Sequence, residues 1–258
     1  MPTLASLHYF AHESLNYSRP AMILIHGAGA HHLFWPPQIR RLAGQRTFAL
    51  DLPGHGRSGG VGHHRIEDYV ASVLDLMRGL GVNAAVWVGH SMGGAIVLEA
   101  ALRHPRRVLG LGLIGSGARL RVDPVMLRKS SEEATFSAAL GMLGARSFSA
   151  ATPPRLRELA MQRMSEMRST VLHGDWMACD NFDVMHSLSA IDHPALIVCG
   201  AEDQLTPVGY SKYLQAHIRG SQLHIIPDAG HMVMLEQPDR TAQLLDRFLE
   251  SIAYRPGL

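Results

Sequence analysis

Short apolar runs, each bounded by turn residues, recur along this chain. Ala21–Ile25, Thr47–Leu50, Ala85–Val88, Val108–Ile114, Ala195–Cys199 and Leu223–Ile226 have the form of strands buried on both faces. Helical patterns lie between several of them. Arg65–Leu80 puts Ile66, Tyr69, Val70, Val73, Leu74, Met77 and Leu80 on one stripe, Met92–His104 is a second helix, and Pro238–Ile252 closes the chain. Strands alternating with helices predict an α/β fold, a mostly parallel sheet with helices on both faces.

One interval breaks the alternation. From Arg119 to about Leu188 there are only helix-like segments, broken by Gly141, Gly144, Pro153-Pro154 and Gly174, and Arg155–Met161 is amphipathic. Strand–helix alternation resumes at Ile191, which makes the interval an insertion between two late strands. The expected organisation is therefore a first part over 1–118, an inserted helical segment over 119–188, and a second part over 189–258.

Composition narrows the function classes. The chain has 258 residues, and 24 basic against 22 acidic side chains offer no polyanion-binding field, so nucleic acid is not an expected partner. Two cysteines, Cys179 and Cys199, make no disulfide framework and have no zinc-ligand spacing; no HExxH-type pattern occurs, so no metal is expected. No signal peptide is visible in Met1-Pro2-Thr3-Leu4-Ala5-Ser6, and no run approaches a membrane span of about 20 apolar residues. These features predict a soluble, cytoplasmic protein.

The strongest chemical feature is Gly89-His90-Ser91-Met92-Gly93-Gly94. A lone G-x-S-x-G is weak, but here a strand runs into it and the helix former Ala95–Leu102 runs out, the setting of a nucleophile elbow. The glycines let backbones approach closely around a strained Ser91, and the helix start offers the Met92 N–H to a developing oxyanion. A serine hydroxyl needs a base, and sixteen histidines make composition useless for finding it. Position selects His231, in the loop past the last predicted strand, and Asp203, past the preceding one; both emerge at the sheet edge that carries Ser91. Glu202 and Asp228 are the competing acids. The second oxyanion donor is expected from the Ala28 N–H in His26-Gly27-Ala28-Gly29.

These segments, with Asp51-Leu52-Pro53-Gly54-His55-Gly56-Arg57-Ser58 and Gly230-His231-Met232-Val233-Met234-Leu235-Glu236-Gln237-Pro238, resemble the α/β-hydrolase superfamily. The similarity is to its lid-bearing, esterase-like branch of carboxylesterases, lactonases, perhydrolases and meta-cleavage-product hydrolases, and it spans nearly the whole chain. The Asp51–Ser58 segment is expected to be a structural turn, Glu236 and Pro238 to start the last helix, and the pairs His31-His32 and His63-His64 to be loop or surface residues. Dehalogenases and epoxide hydrolases of this fold carry Asp where this chain has Ser91.

The resemblance implies a cofactor-free serine hydrolase of small carboxylic esters with an apolar acyl or alcohol part. The alternatives are a lactonase, a carbon–carbon bond hydrolase and a hydrolase-fold ligand receptor. It also implies that 119–188 is a cap over the nucleophile. Candidate lining residues are Phe34, Trp35, Met142, Trp176, Phe182, Met185 and Met232. Seven of the 13 methionines (Met126, Met142, Met161, Met164, Met167, Met177 and Met185) fall in the cap, which suggests a pliable apolar roof.

Overall fold

The computed structural model describes residues 3–13 and 19–253. Eight strands form one sheet: β1 (Thr3–Leu4), β2 (Leu7–His12), β3 (Met22–Ile25), β4 (Thr47–Leu50), β5 (Ala85–His90), β6 (Val108–Ile114), β7 (Ala195–Gly200) and β8 (Gln222–Ile226). Their order is β1-β2-β4-β3-β5-β6-β7-β8. The pairs β1/β2 and β2/β4 are antiparallel and the rest are parallel. The antiparallel edge lies ahead of the apolar runs read from the sequence. Its polar His8 is buried because Asp51 accepts its Nδ1–H at 2.9 Å.

The period-two alternation of a strand divides the core into two layers. After the short α1 (Pro37–Arg40), the helices α2 (Ile66–Gly79) and α3 (Met92–Arg103) cover one face, to which Ile23, Ile25, Trp87, Leu111, Leu113 and Ile197 point. Met22, Leu24, Val86, Val88, Leu196 and Val198 point to the other, with Leu245, Phe248 and Leu249 of the C-terminal helix Pro238–Ser251. A Cβ on Gly110 of β6 would lie 2.9 Å from Ile252 Cδ1 and 3.2 Å from the Phe248 ring, so glycine there lets that helix lie close to the sheet. Full burial of each large side chain contributes roughly 1.5–3 kcal/mol, which is why runs without polar positions settle at the centre of the sheet.

Between β6 and β7 come α4 (Pro124–Ser130), α5 (Glu133–Ser147), α6 (Pro154–Ser165) and α7 (Ser169–Asn181). The chain leaves and re-enters at one place: Val184 N–H donates to Ala118 O (2.8 Å), and Arg119 pairs antiparallel with Asp183. The glycines expected to break helices here do not. Helix α5 runs through Gly141 and Gly144, and α7 through Gly174. Gly174 serves close packing, since a Cβ would meet the His64 ring at 2.7 Å and His63 O at 3.0 Å. The Pro153-Pro154 break is real and opens α6. No helix among the described residues is long and apolar enough to cross a membrane.

Candidate active site

Four loops leave the C-terminal ends of parallel strands and converge. Ala28 follows β3, Ser91 follows β5, Asp203 follows β7 and His231 follows β8. Ser91 has φ 52° and ψ −116°, a conformation costing about 1–3 kcal/mol for a non-glycine residue. Its surroundings hold it there: Ser91 N–H donates to Ile114 O (2.9 Å), and Ser91 O accepts from Gly94 N–H (2.9 Å) and Ser116 Oγ (2.8 Å). At about 0.5–1.5 kcal/mol each these bonds offset the strain. A Cβ on Gly93 would collide with the carbonyl oxygens of Ile25 and His26, so only glycine lets α3 start this close to β3. Gly27 presses on the same turn, its position lying within 3.2 Å of Ser91 Cβ for an added methyl.

His231 is 3% exposed and its Nδ1–H donates to Asp203, at 3.0 Å to Oδ2 and 3.1 Å to Oδ1. Asp203 also accepts from the Leu205 N–H (2.9 Å), the Thr206 N–H (2.8 Å) and Thr206 Oγ1 (2.8 Å). Burial pushes its carboxyl upward, but His231 and the Thr206 donors outweigh burial and hold it below the ordinary carboxylate value. The competing acids stand apart: Glu202 and Asp228 are exposed, and Glu202 accepts from Ala150 N–H at 3.0 Å. The ring of His90 lies 4.7 Å from that of His231 and its Nε2–H donates to His231 O (3.0 Å), so the residue before the serine also holds the loop of His231.

Ser91 and His231 line one cavity of about 180 Å³, with Gly27 and Ala28 on its wall. Met92 sends its side chain into the core, while its backbone N–H, the first of α3, has no carbonyl of its own helix to bond. A match to the family model for the alpha/beta hydrolase fold runs over residues 20–238. The chain belongs to the α/β-hydrolase family.

Relatives of this hydrolase span most of its length. The 3-oxoadipate enol-lactonase 1 of Acinetobacter baylyi is 29% identical over 239 residues, covering 90% of each chain. A pimeloyl-(acyl-carrier protein) methyl ester esterase of Neisseria meningitidis is 31% identical over 250 residues, 89% of this chain and 93% of that one. The crystal structure of the enol-lactonase from Burkholderia xenovorans LB400 superposes with a TM-score of 0.88 at 25% identity, covering 95% of this chain and 96% of that one.

Of the lining residues expected from sequence, Trp176 and Met232 do face the cavity of this α/β-hydrolase. Five do not. Phe34 ends a 3-10 turn (His32–Phe34) and Trp35 follows it, and both are carried into the core, Phe34 beside Leu156 and Leu159 of α6. Met142, half-buried on α5, packs against the same apolar cluster as Leu143, but of the two only Leu143 lines the cavity. Phe182 caps α7 and packs with Ala178 and Leu188, and Met185 faces Tyr210 and Tyr213. The cavity takes Met126 and Met164 in their place, together with Arg121, Asp123 and Arg146. Except for Met142, these residues sit in 3-10 turns or at a helix end, and the local sequence does not show which neighbour such a position will meet.

Other roles also shift. His32 is buried, and its Nδ1–H donates to Asp51 at 2.8 Å. His8, His32 and Asp51 bring ligand-type atoms within 4.8 Å of one another, but Asp51 already accepts from both imidazoles, from His32 N–H (2.7 Å) and from Arg57 N–H (3.0 Å). Its acceptor positions are thus taken by protons, as in a loop anchor. Pro238 does start the last helix, but Glu236 binds Gly230 N–H and Ser149 N–H, both at 2.8 Å, and Thr152 Oγ1. It ties the loop of His231 to the insertion, a role its local sequence does not signal.

Proposed function

We propose that this chain is a serine hydrolase of small carboxylic esters, working through an acyl-enzyme. The observation that carries the reading is His231: Asp203 holds its Nδ1, and its ring shares a cavity with a serine kept at positive φ. Ser91 Oγ attacks the carbonyl carbon as His231 Nε2 takes its proton, and Asp203 fixes the tautomer and stabilises the imidazolium. The Ala28 and Met92 N–H groups receive the oxyanion. Collapse of the tetrahedral intermediate expels the alcohol, protonated by His231, and water repeats the sequence on the acyl-enzyme. The helices of 119–188 act as the cap that keeps bulk water from the reacting carbonyl.

The test is hydrolysis of p-nitrophenyl acetate with purified protein and its Ser91→Ala variant. The variant is expected to lose turnover by several orders of magnitude; retention within about tenfold of the parent would refute the assignment.

A lactonase reading is favoured by one observation, the enol-lactonases among the full-length relatives. It uses the same residues on a cyclic ester, and the leaving alcohol stays attached. Higher kcat/KM for lactones than for matched open-chain esters would select it.

A further inference from the structure

Asp175, on cap helix α7, has no exposed surface, and three donors from the hydrolase core converge on it. Gly29 N–H (2.9 Å) and His55 Nε2 (2.7 Å) reach Oδ2, and the Tyr69 hydroxyl reaches Oδ1. Gly29 directly follows Ala28. The loop also closes on itself through Ala30 N–H to Gly27 O (3.2 Å), and a Cβ on Gly29 would lie 2.9 Å from Leu172 and 3.0 Å from Met164, both on the insertion. The conformation of this loop is therefore set against the cap.

His55 defines the charge of the cluster. Its Nδ1 lies 2.9 Å from Pro53 O, which can only accept, so that nitrogen carries a proton. Its Nε2 faces the Asp175 carboxylate, so the arrangement is an imidazolium–carboxylate pair. Burial works against the cation, but the charge and hydrogen bond of Asp175 override it and raise the His55 pKa. A carboxylate one residue from an oxyanion donor would, alone, oppose the negative charge that forms there. The imidazolium cancels that field without breaking the bond to Gly29.

We infer that Asp175 and His55 are a positioning pair: the cap carboxylate fixes the peptide following Ala28, and the His55 cation neutralises that carboxylate beside the developing oxyanion. Neither residue touches substrate in this scheme, which rests on the oxyanion role proposed for Ala28.

The experiment compares Asp175→Asn, His55→Gln and the double variant with Arg168→Ala. Arg168 supplies a separate cap–core tie by donating to Gly60 O at 2.6 Å. Both single variants are expected to lower kcat on the order of 10- to 100-fold with KM within about threefold, and to weaken a trifluoromethyl ketone in parallel. His55→Gln should be the worse, and the double variant should recover activity relative to it, because removing the carboxylate's charge removes the penalty. Arg168→Ala should lower Tm yet keep kcat within about twofold. Additive losses in the double variant, or kcat following Tm through all four proteins, would overturn the inference.

Charge state is read apart from activity, by 1H–15N NMR of the His55 ring in the wild type at neutral pH. Two protonated nitrogens, reverting to one in Asp175→Asn, support the pair even if no ester or lactone is turned over, in which case only the reaction assignment fails. A neutral ring in the wild type refutes the pair whatever the activity.

Discussion

His90 and His26 are buried with both rings committed to the backbone. His90 Nε2–H donates to His231 O, whereas His26 Nε2 accepts the Leu52 N–H at 3.0 Å and its Nδ1–H donates to Gly27 O at 2.8 Å. Burial holds His90 down at about 3 and His26 well below its ordinary value, and His31 is lowered to about 4, again mainly by burial. All three stay neutral in the folded chain at pH values where the unfolded chain protonates them. Their stability contribution is complete above the unfolded value of about 6.5 and is lost as pH falls toward the folded values. Tm is thus expected to fall steadily from about pH 6.5 to pH 4, before most carboxylates titrate, and His90→Asn, which cannot ionise, should flatten the decline. A flat Tm across that range in the wild type would contradict this. Sequence distinguishes none of these histidines from His231 by type. His231 was legible through its place after the last strand; the raised and lowered neighbours were not, because a ring's charge depends on what its second nitrogen meets across the fold.

At the scale of elements, glycine separates local propensity from tertiary contact. Gly141 lies inside α5 with nothing within 4 Å of where a Cβ would stand. Gly141→Ala is expected to stabilise by about 0.8–1 kcal/mol, a Tm rise of roughly 2–4 °C for a domain this size. Thermal denaturation checks it, and a fall in Tm would mean that the position is under a constraint the packing does not show. Gly200 behaves oppositely: a Cβ at the end of β7 would collide with the carbonyl oxygens of Ala229 and Gly230, beside His231. Five of the parallel strands and helix α2 were legible because burial on two faces and on one face leave different periods. Strand β8, expected to be buried on both faces, is an edge strand with Ile225 41% exposed. Helix α3 is buried nearly all round, so its start was legible from the glycine-rich turn before it. The antiparallel edge was not, since His8 is polar and is buried only by virtue of Asp51, 43 positions away.

For the molecule as a whole, the size of the cavity carries an expectation about the substrate of the proposed reaction. Its volume of about 180 Å³ falls below the roughly 300–1,000 Å³ of sites for drug-sized ligands. The proposed hydrolase is therefore expected to prefer short acyl chains, with kcat/KM for p-nitrophenyl esters declining beyond about four carbons; a maximum at eight or more would contradict this. The lining also departs from an all-apolar roof. Arg146 donates to Asp123 at 3.1 Å, and of the seven methionines of the insertion only Met126 and Met164 are on the wall. The order of residues alone determined the family, the parallel sheet and the loops that bring Ser91, Asp203 and His231 to one edge, because strand periodicity and short turn motifs are local properties. Tertiary structure decided what those loops meet. Which faces α5 and α7 turn inward, and that a carboxylate of the insertion should reach Gly29 across 146 positions, follow from how separately specified elements pack. Two amphipathic helices can be docked in several rotations with similar burial, and only the shape and donors of the facing surface choose among them.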